Sequence, residues 1–452
     1  MSAEPAPNAP RRAIRPLRDA LPALALVGLG VLAAHLARQA YPGTPTWVLQ
    51  AGVGTIVASA LLLGPFRRAA FSRFLLESDL FFLSGVAAAL VWANVDPASL
   101  EALVGPARFA INDILMALFF GLATKEIAEA ARPGGPLGSV RKAALPLVAT
   151  AGGMAGPALV FLAGCALLHR PDLTRGWAIP TATDVAFSAL AARFIFGAAH
   201  PAIPFLLLLA IADDAGGLAV LAIAYPQGER HLLPLLGLVG AGTLACAALR
   251  RLRVESPWPY LLLGGVPSWF GLHEGGLHPA LCLVPIVPWM PHGAHDAGIY
   301  EETSARPLGT LERFQRGAAA PVALILGLFA LSNAGVSLSG VGPATGLVLA
   351  SLVVGKLVGI SLAVGLGTRL GLALPEGLSA REVVVLAVTA GVGFTVALFV
   401  STVAFPAGPV LDEAKMGALL SVVAAPLAIV AGRLLGVRRV LAPAGAPNAQ
   451  AH

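Results

Sequence analysis

Long apolar runs separated by short polar stretches set the pattern of this chain. Windows long enough to cross a hydrocarbon core of about 30 Å fall near residues 20–38, 47–64, 80–95, 107–124, 143–168, 178–196, 203–225, 232–249, 258–272, 277–290, 320–336, 345–366, 383–404 and 415–435. Such a pattern predicts an all-α polytopic membrane protein with about 14 transmembrane helices, because backbone that meets lipid must satisfy its own hydrogen bonds. Residues 1–19 and 442–452 are Pro/Ala-rich and polar, and disorder is expected there. The longest polar gap runs from Pro291 to Arg316 and is expected to be a cytoplasmic loop.

Composition agrees with the spans: 57% of the 452 residues are hydrophobic and 12% charged, far from a soluble domain. The basic residues orient them. With the N-terminus inside, Arg11, Arg12, Arg15 and Arg18, then Arg67, Arg68 and Arg73, and then nearly every later cluster fall on the cytoplasmic side. Only Arg38, Arg108, Arg170, Arg175, Arg230 and Lys415 fall outside, and Lys356 lies within a span. Both termini are therefore expected in the cytoplasm. Orientation also explains the net charge of +6, so nucleic-acid binding is not implied. The first apolar segment is read as an uncleaved helix, since Arg67, Arg68 and Arg73 then fall inside. Cys165, Cys246 and Cys282 show no paired spacing and read as small packing residues.

Two spans read as broken. One contains Trp177-Ala-Ile-Pro180-Thr-Ala-Thr183-Asp184 and the other Ala390-Gly-Val-Gly-Phe-Thr395. Interrupted helices free backbone N–H and C=O groups at membrane depth, which is tolerated only where protein or a watery cavity surrounds them. Paired interruptions in two parts of a chain point to a transporter's ion site.

Few ionisable residues lie deep in the spans: Asp184, Asp213, Asp214 and Lys356, with Asp113 and Glu126 nearer the ends of theirs. Three acids against one base leave a deficit of positive charge that a cation or proton fills. Adjacent carboxylates also repel, so the pair holds a proton to higher pH than an isolated carboxylate. A hard cation such as Na⁺ or Li⁺ displaces that proton, and competition at a site open to one side at a time suffices for exchange. Positions 213 and 214 are about 100° apart on a helix, so one can coordinate the ion while the other meets Lys356. Thr183 and Asp184 offer further oxygens, and Asp184 alternatively balances the exposed helix ends. His278 is a candidate pH sensor or an interfacial histidine without a special task. Glu126 beside Lys125 is either functional or a solvated helix end. No nucleophile elbow, zinc spacing or phosphate loop appears, and no cofactor is implied. An enzyme alternative, a membrane prenyltransferase, needs Asp-rich motifs for Mg²⁺ and diphosphate, and Asp213-Asp-Ala-Gly-Gly217 lacks a third acid on the same face.

At these residues the chain resembles the NhaA family of bacterial sodium/proton antiporters. The resemblance is carried by Ile111-Asn-Asp-Ile-Leu-Met-Ala-Leu-Phe-Phe120, Gly176-Trp-Ala-Ile-Pro-Thr-Ala-Thr-Asp-Val-Ala-Phe187, Ala210-Ile-Ala-Asp-Asp-Ala-Gly216, Asn333-Ala-Gly-Val-Ser-Leu338, Gly355-Lys356 and Gly391-Val-Gly-Phe-Thr395. It implies a 12-helix core with inverted repeats and two unwound helices crossing near the bilayer midplane, an architecture for which this family is a standard example. It further implies Asp214 as the essential cation carboxylate, Asp213 as its partner in proton exchange and in a pair with Lys356, and Thr183 and Asp184 in the unwound crossing. Exchange of one Na⁺ or Li⁺ for two protons, electrogenic and activated at alkaline pH, is the activity implied.

On this reading residues 20–79 hold two additional helices, 80–441 form the antiporter core, and the protein is a multi-pass protein of the bacterial inner membrane. The Asn94–Asn112 loop is too short for the β-hairpin through which family members dimerise, so a homodimer would need another route. His278 and Glu126 match family positions implicated in pH response. Glu312 lies in the matching stretch of the long loop, where Arg313 and Arg316 replace the family's histidines. A sodium-coupled organic-anion symporter of the same fold is the alternative, and it predicts a larger polar cavity beside the broken helices.

Overall fold

The computed structural model describes residues 80–440 apart from 133–134, 136, 139, 293–308 and 438. The expected spans at 20–38 and 47–64, the two expected disordered ends and most of the long polar gap lie outside the described residues. In chain order the helices are α1 (Leu80–Val95), α2 (Pro97–Val104), α3 (Met116–Ala130), α4 (Val140–Leu167), α5 (Val185–Phe196), α6 (Ala202–Ala224), α7 (Leu232–Arg251), α8 (Pro257–Tyr260), α9 (Val266–Glu274), α10 (Thr310–Asn333), α11 (Pro343–Ala350), α12 (Lys356–Arg369), α13 (Ala380–Thr389), α14 (Phe394–Ala404), α15 (Pro409–Leu420) and α16 (Ala424–Leu434). Wider π-type turns lead into α3 at Ala110–Leu115, join α8 to α9 at Leu261–Gly265 and join α11 to α12 at Ser351–Gly355.

Every apolar window from residue 80 onward contains helix, and the described residues contain no strand. Among the described residues, seven helical segments are long and apolar enough to cross a membrane, or up to nine if each of two bent pairs is one span. The segments Phe81–Val95 and Pro279–Trp289 are apolar but shorter.

Two stretches read as loops are helical. Pro97–Val104 forms α2, with Asp96 as N-cap accepting the Ser99 N–H at 3.2 Å and proline at the first position. The helix α10 begins at Thr310, inside the gap expected to run to Arg316, because Leu311, Phe314 and Ala318 form a buried stripe at helical spacing.

The chain folds as two compact units. The described part of the first comprises residues from Leu80 to Ile111 with Ala319–Leu338. There α1 and α10 touch through glycines, since a Cβ added at Gly85 would fall 2.3 Å from the Gly327 carbonyl oxygen. Asn94 binds the segment after α10, donating to Val336 O at 3.0 Å and accepting the Leu338 N–H at 2.9 Å.

The second unit comprises Asn112–Ala318 and the residues from Ser339 onward. Its most extensively packed pair is α4 against the helical stretch from Ser351 through α12, and small residues make the approach possible. A Cβ at Gly152 would lie 2.3 Å from Gly359 O, and one at Gly156 would lie 2.4 Å from Gly355 O. Small residues four apart on both partners let two backbones meet, as they do between membrane helices generally. Lys356 follows Gly355 directly, so this seam fixes where its side chain starts. Phe196, Phe205, Leu209, Ile360 and Leu386 extend the packing as one buried cluster.

Candidate functional site

The breaks anticipated at Pro180 and at Gly391 and Gly393 are present. Ahead of α5 the chain makes short 3₁₀ turns at Pro171–Gly176 and Ile179–Thr181 and then runs extended through Ala182 to Asp184. Between α13 and α14 the axis bends by 52°. The two interruptions satisfy each other's backbone. Asp184 N donates to Val392 O at 2.7 Å, and Thr183 Oγ1 lies 3.2 Å from Ala390 O.

Asp184 completes this junction. Its Oδ1 accepts the Phe187 N–H at 3.2 Å in the first turn of α5. Its Oδ2 accepts the Thr395 N–H at 3.1 Å and the Thr395 hydroxyl at 2.7 Å in the first turn of α14. One buried carboxylate thus caps two helix N-termini, where the partial positive charge of aligned peptide dipoles favours an anion. Both oxygens of Asp184 are thereby engaged at the helix ends.

Beside the junction, Lys356 Nζ directs a donor to each of three acceptors: Asp213 Oδ2 at 2.7 Å, Thr183 Oγ1 at 2.9 Å and Thr181 O at 2.5 Å. Lys356, Asp213 and Thr183 are all fully buried. An ammonium with three donors is therefore fully hydrogen-bonded, which is the condition for a buried ion pair to persist. Thr183 Oγ1 also sits 2.8 Å from Asp213 Oδ2, so this one carboxylate oxygen gathers the lysine and the threonine. The second oxygen, Asp213 Oδ1, is buried without a hydrogen-bond partner.

Asp214 is bonded differently. Its Oδ1 is also buried and unpartnered. The residue lines a cavity of about 10 Å³ together with Phe119, Phe120, Gly217, Leu218 and Val396. That is room for roughly one water-sized occupant. Glu126 and Asp184 are within electrostatic reach of Asp214, whereas Lys356 is committed to Asp213. Around Asp214 the acids Asp213, Asp184 and Glu126 outnumber the base Lys356.

His278 is buried and accepts the Ala280 N–H at Nδ1 (3.3 Å), while Nε2 faces Asp113 Oδ1 at 3.9 Å. Its ring packs against Phe399 with centroids 4.9 Å apart. Glu126 is exposed on α3, and its neighbour Lys125 pairs instead with Glu129 at 2.5 Å. Glu312 is in the first turn of α10, within electrostatic reach of Arg132.

Two hydroxyls escaped sequence reasoning. Tyr225 OH donates to Arg175 O at 2.7 Å and accepts the Ala178 N–H at 3.3 Å, ahead of the first break. Ser421 Oγ accepts the Gly393 N–H at 3.2 Å in the second. Neither carries a motif; only the freed backbone amide, left by the predicted interruption, signals that a partner is required.

Irregular backbone sealed within helices, set against carboxylate oxygens that lack a protein partner, is the arrangement of a secondary transporter for a small cation. The chain belongs to the Na⁺/H⁺ antiporter 1 family, whose model matches residues 77–434. It is 46% identical over 372 residues to the Na(+)/H(+) antiporter NhaA of Geobacter sulfurreducens, covering 80% of this chain and 97% of that one. Against the Na(+)/H(+) antiporter NhaA of Geotalea uraniireducens it is 47% identical over 371 residues, 80% of this chain and 96% of the other. The Na(+)/H(+) antiporter NhaA of a Jannaschia species matches at 43% over 414 residues, with 81% and 98% covered. Membership of an antiporter family places the chain among transporters and not among enzymes.

Proposed function

We propose that this protein exports Na⁺ or Li⁺ across the bacterial inner membrane in exchange for protons, with both termini cytoplasmic. Asp214 takes the cation, and Asp213 carries a proton in step with Lys356. Thr183 orients their shared oxygen, and Asp184 holds the two breaks together. The observation that carries this reading is the pair of adjacent aspartates, each with one buried and unpartnered oxygen, only one of them bonded to the buried lysine.

The chemistry follows from charge. Sodium at Asp214 replaces a proton there, and the altered field beside Asp213 loosens its pairing with Lys356, so that a second proton exchanges. Two protons per Na⁺ move one net charge per turnover, worth about 2.3 kcal/mol per 100 mV, so the membrane potential drives export. An architecture of inverted repeats rocking about the junction, and activation at alkaline pH through His278, Glu126 and Glu312, belong to the same reading. The symporter alternative is not favoured, because the relatives that match four-fifths of the chain are named for Na⁺/H⁺ exchange.

The test is sodium-dependent dequenching of a pH-sensitive dye in everted membrane vesicles. Addition of Na⁺ or Li⁺ should dissipate the proton gradient with the wild-type protein and leave it intact with Asp214→Asn. An unchanged gradient with the wild type across pH 6.5 to 9 would overturn the reading.

A further inference from the structure

We infer that Tyr225 is a positioning residue for the lysine–aspartate pair, acting through the unwound segment before α5; this rests on the antiport reading of the same site. The argument starts from a need. Between Pro171 and Asp184 the chain leaves regular helix, and each backbone group it frees inside the protein requires a partner. Tyr225 is a fully buried side chain at the end of α6, the helix that also carries Asp213. Its hydroxyl donates to Arg175 O and accepts from Ala178 N, so it fixes the segment from both sides of Trp177.

From Ala178 the constraint passes to the lysine in two bonded steps. Ala178 O accepts both the Thr181 N–H at 3.1 Å and the Thr181 hydroxyl at 2.8 Å, which sets the orientation of that 3₁₀ turn. The carbonyl of Thr181 then accepts Lys356 Nζ at 2.5 Å, on the side of the ammonium not taken by Asp213 or Thr183. A closed circuit results: α6 presents Asp213 to Lys356 and, further along the same helix, presents Tyr225 to the turn that supplies another acceptor to Lys356. A phenylalanine at 225 would fill the same space, leave the Ala178 N–H unpaired and release the turn.

With the Thr181 carbonyl free to drift, the ammonium is held less closely against Asp213. Sodium must then compete with a more firmly held proton. Tyr225→Phe should therefore raise the Na⁺ concentration for half-maximal exchange by about fivefold, the equivalent of one ordinary hydrogen bond, and move the pH profile of exchange toward alkaline values. The maximal rate at saturating Na⁺ and high pH should stay within twofold of wild type, roughly half the effect of one hydrogen bond on a logarithmic scale. In a Thr181→Val background, where the tie of that turn to Ala178 is already cut, the same Tyr225→Phe change should add less than twofold to the half-saturation.

The experiment is dye-based exchange in proteoliposomes at matched protein content, over a range of Na⁺ and pH, with the four proteins of that cycle. A wild-type half-saturation and pH profile in Tyr225→Phe would overturn the inference, as would an equal effect in the presence and absence of the Thr181 hydroxyl. Should Tyr225→Phe fail to accumulate in folded form, Thr181→Val, which removes the hydroxyl tie to Ala178, is held to the same outcomes. Absence of exchange by the wild type would instead remove the antiport reading itself.

Discussion

Asp213 and Asp214 are neighbours in the chain and opposites in bonding. Asp213 Oδ2 receives Lys356 at 2.7 Å and Thr183 at 2.8 Å, whereas Asp214 offers a buried, unpartnered oxygen beside a small cavity. Because 100° separates successive side chains on a helix, one residue can belong to the protein's internal bonding and the next to its cargo. The two should therefore fail in different ways when their charge is removed.

Asp214→Asn should abolish sodium-dependent proton movement and leave thermal unfolding in detergent close to wild type, since no bond to the removed oxygen exists. Asp213→Asn leaves Lys356 buried without its counter-charge, and breaking a buried pair from one side costs about 3–5 kcal/mol. Thermal melts of the two purified variants, compared with exchange assays, check this. Equal loss of stability in both would contradict the division of labour.

The glycine seam between α4 and α12 gives a second prediction. A methyl group at Gly359 would meet Gly152 O at 2.1 Å, backbone against backbone, with no flexible side chain to give way. Gly359→Ala should cost about 1–3 kcal/mol, the usual range for overpacking, and should impair exchange by shifting Lys356 three residues away. Gly365 is on the same helix with nothing within 4 Å of an added Cβ. Gly365→Ala should therefore be neutral or slightly stabilising in the same melt, and destabilisation there would show that helix α12 as a whole, not the seam, is sensitive.

Much of the fold was legible because hydrocarbon leaves a chain few options: long apolar runs must be helices, and Pro180, Gly391 and Gly393 mark where they break. The destination of Asp184 was not legible, since its partner Thr395 is 211 positions away and an acid near a broken helix serves a cation or a helix end equally well. The helix α2 was missed because Asp96-Pro97 reads as loop punctuation, although the same pair is an N-cap followed by a favoured first position. Buried Tyr225 and Ser421 carry ordinary hydroxyls whose use depends wholly on which amide the fold brings to them.

The double cap at Asp184 predicts a graded series. Asp184→Ala removes the acceptor for both helix N-termini, and each lost cap costs typically about 1 kcal/mol. Asp184→Asn keeps one carbonyl oxygen and should recover part of the loss, but it cannot offer an acceptor to Phe187 and Thr395 at once without presenting its amide to a donor. Melting temperatures should thus rank wild type above Asn above Ala. An Asn variant less stable than the Ala variant would mean that the junction rejects the amide more than it needs a cap.

Ser421 offers the sharpest test of how the second break is held. Its Oγ accepts the Gly393 N–H at 3.2 Å and donates to Ala418 O at 2.6 Å, at the 3₁₀ turn where α15 passes into α16. The hydroxyl is fully buried, so no solvent stands by to replace it. Ser421→Ala would strand a buried N–H, at a cost of about 1–3 kcal/mol, while Ser421→Thr retains the acceptor and should restore most of that stability if its added methyl is accommodated. Amide hydrogen exchange provides the local reading. In Ser421→Ala, peptides covering residues 390–395 should exchange at least tenfold faster, the equivalent of about 1.4 kcal/mol by the relation between free energy and equilibrium constants, with peptides from α7 unchanged. Unaltered protection at residues 390–395 in the alanine variant would show that the break is held by its contacts with Thr183 and Asp184 alone.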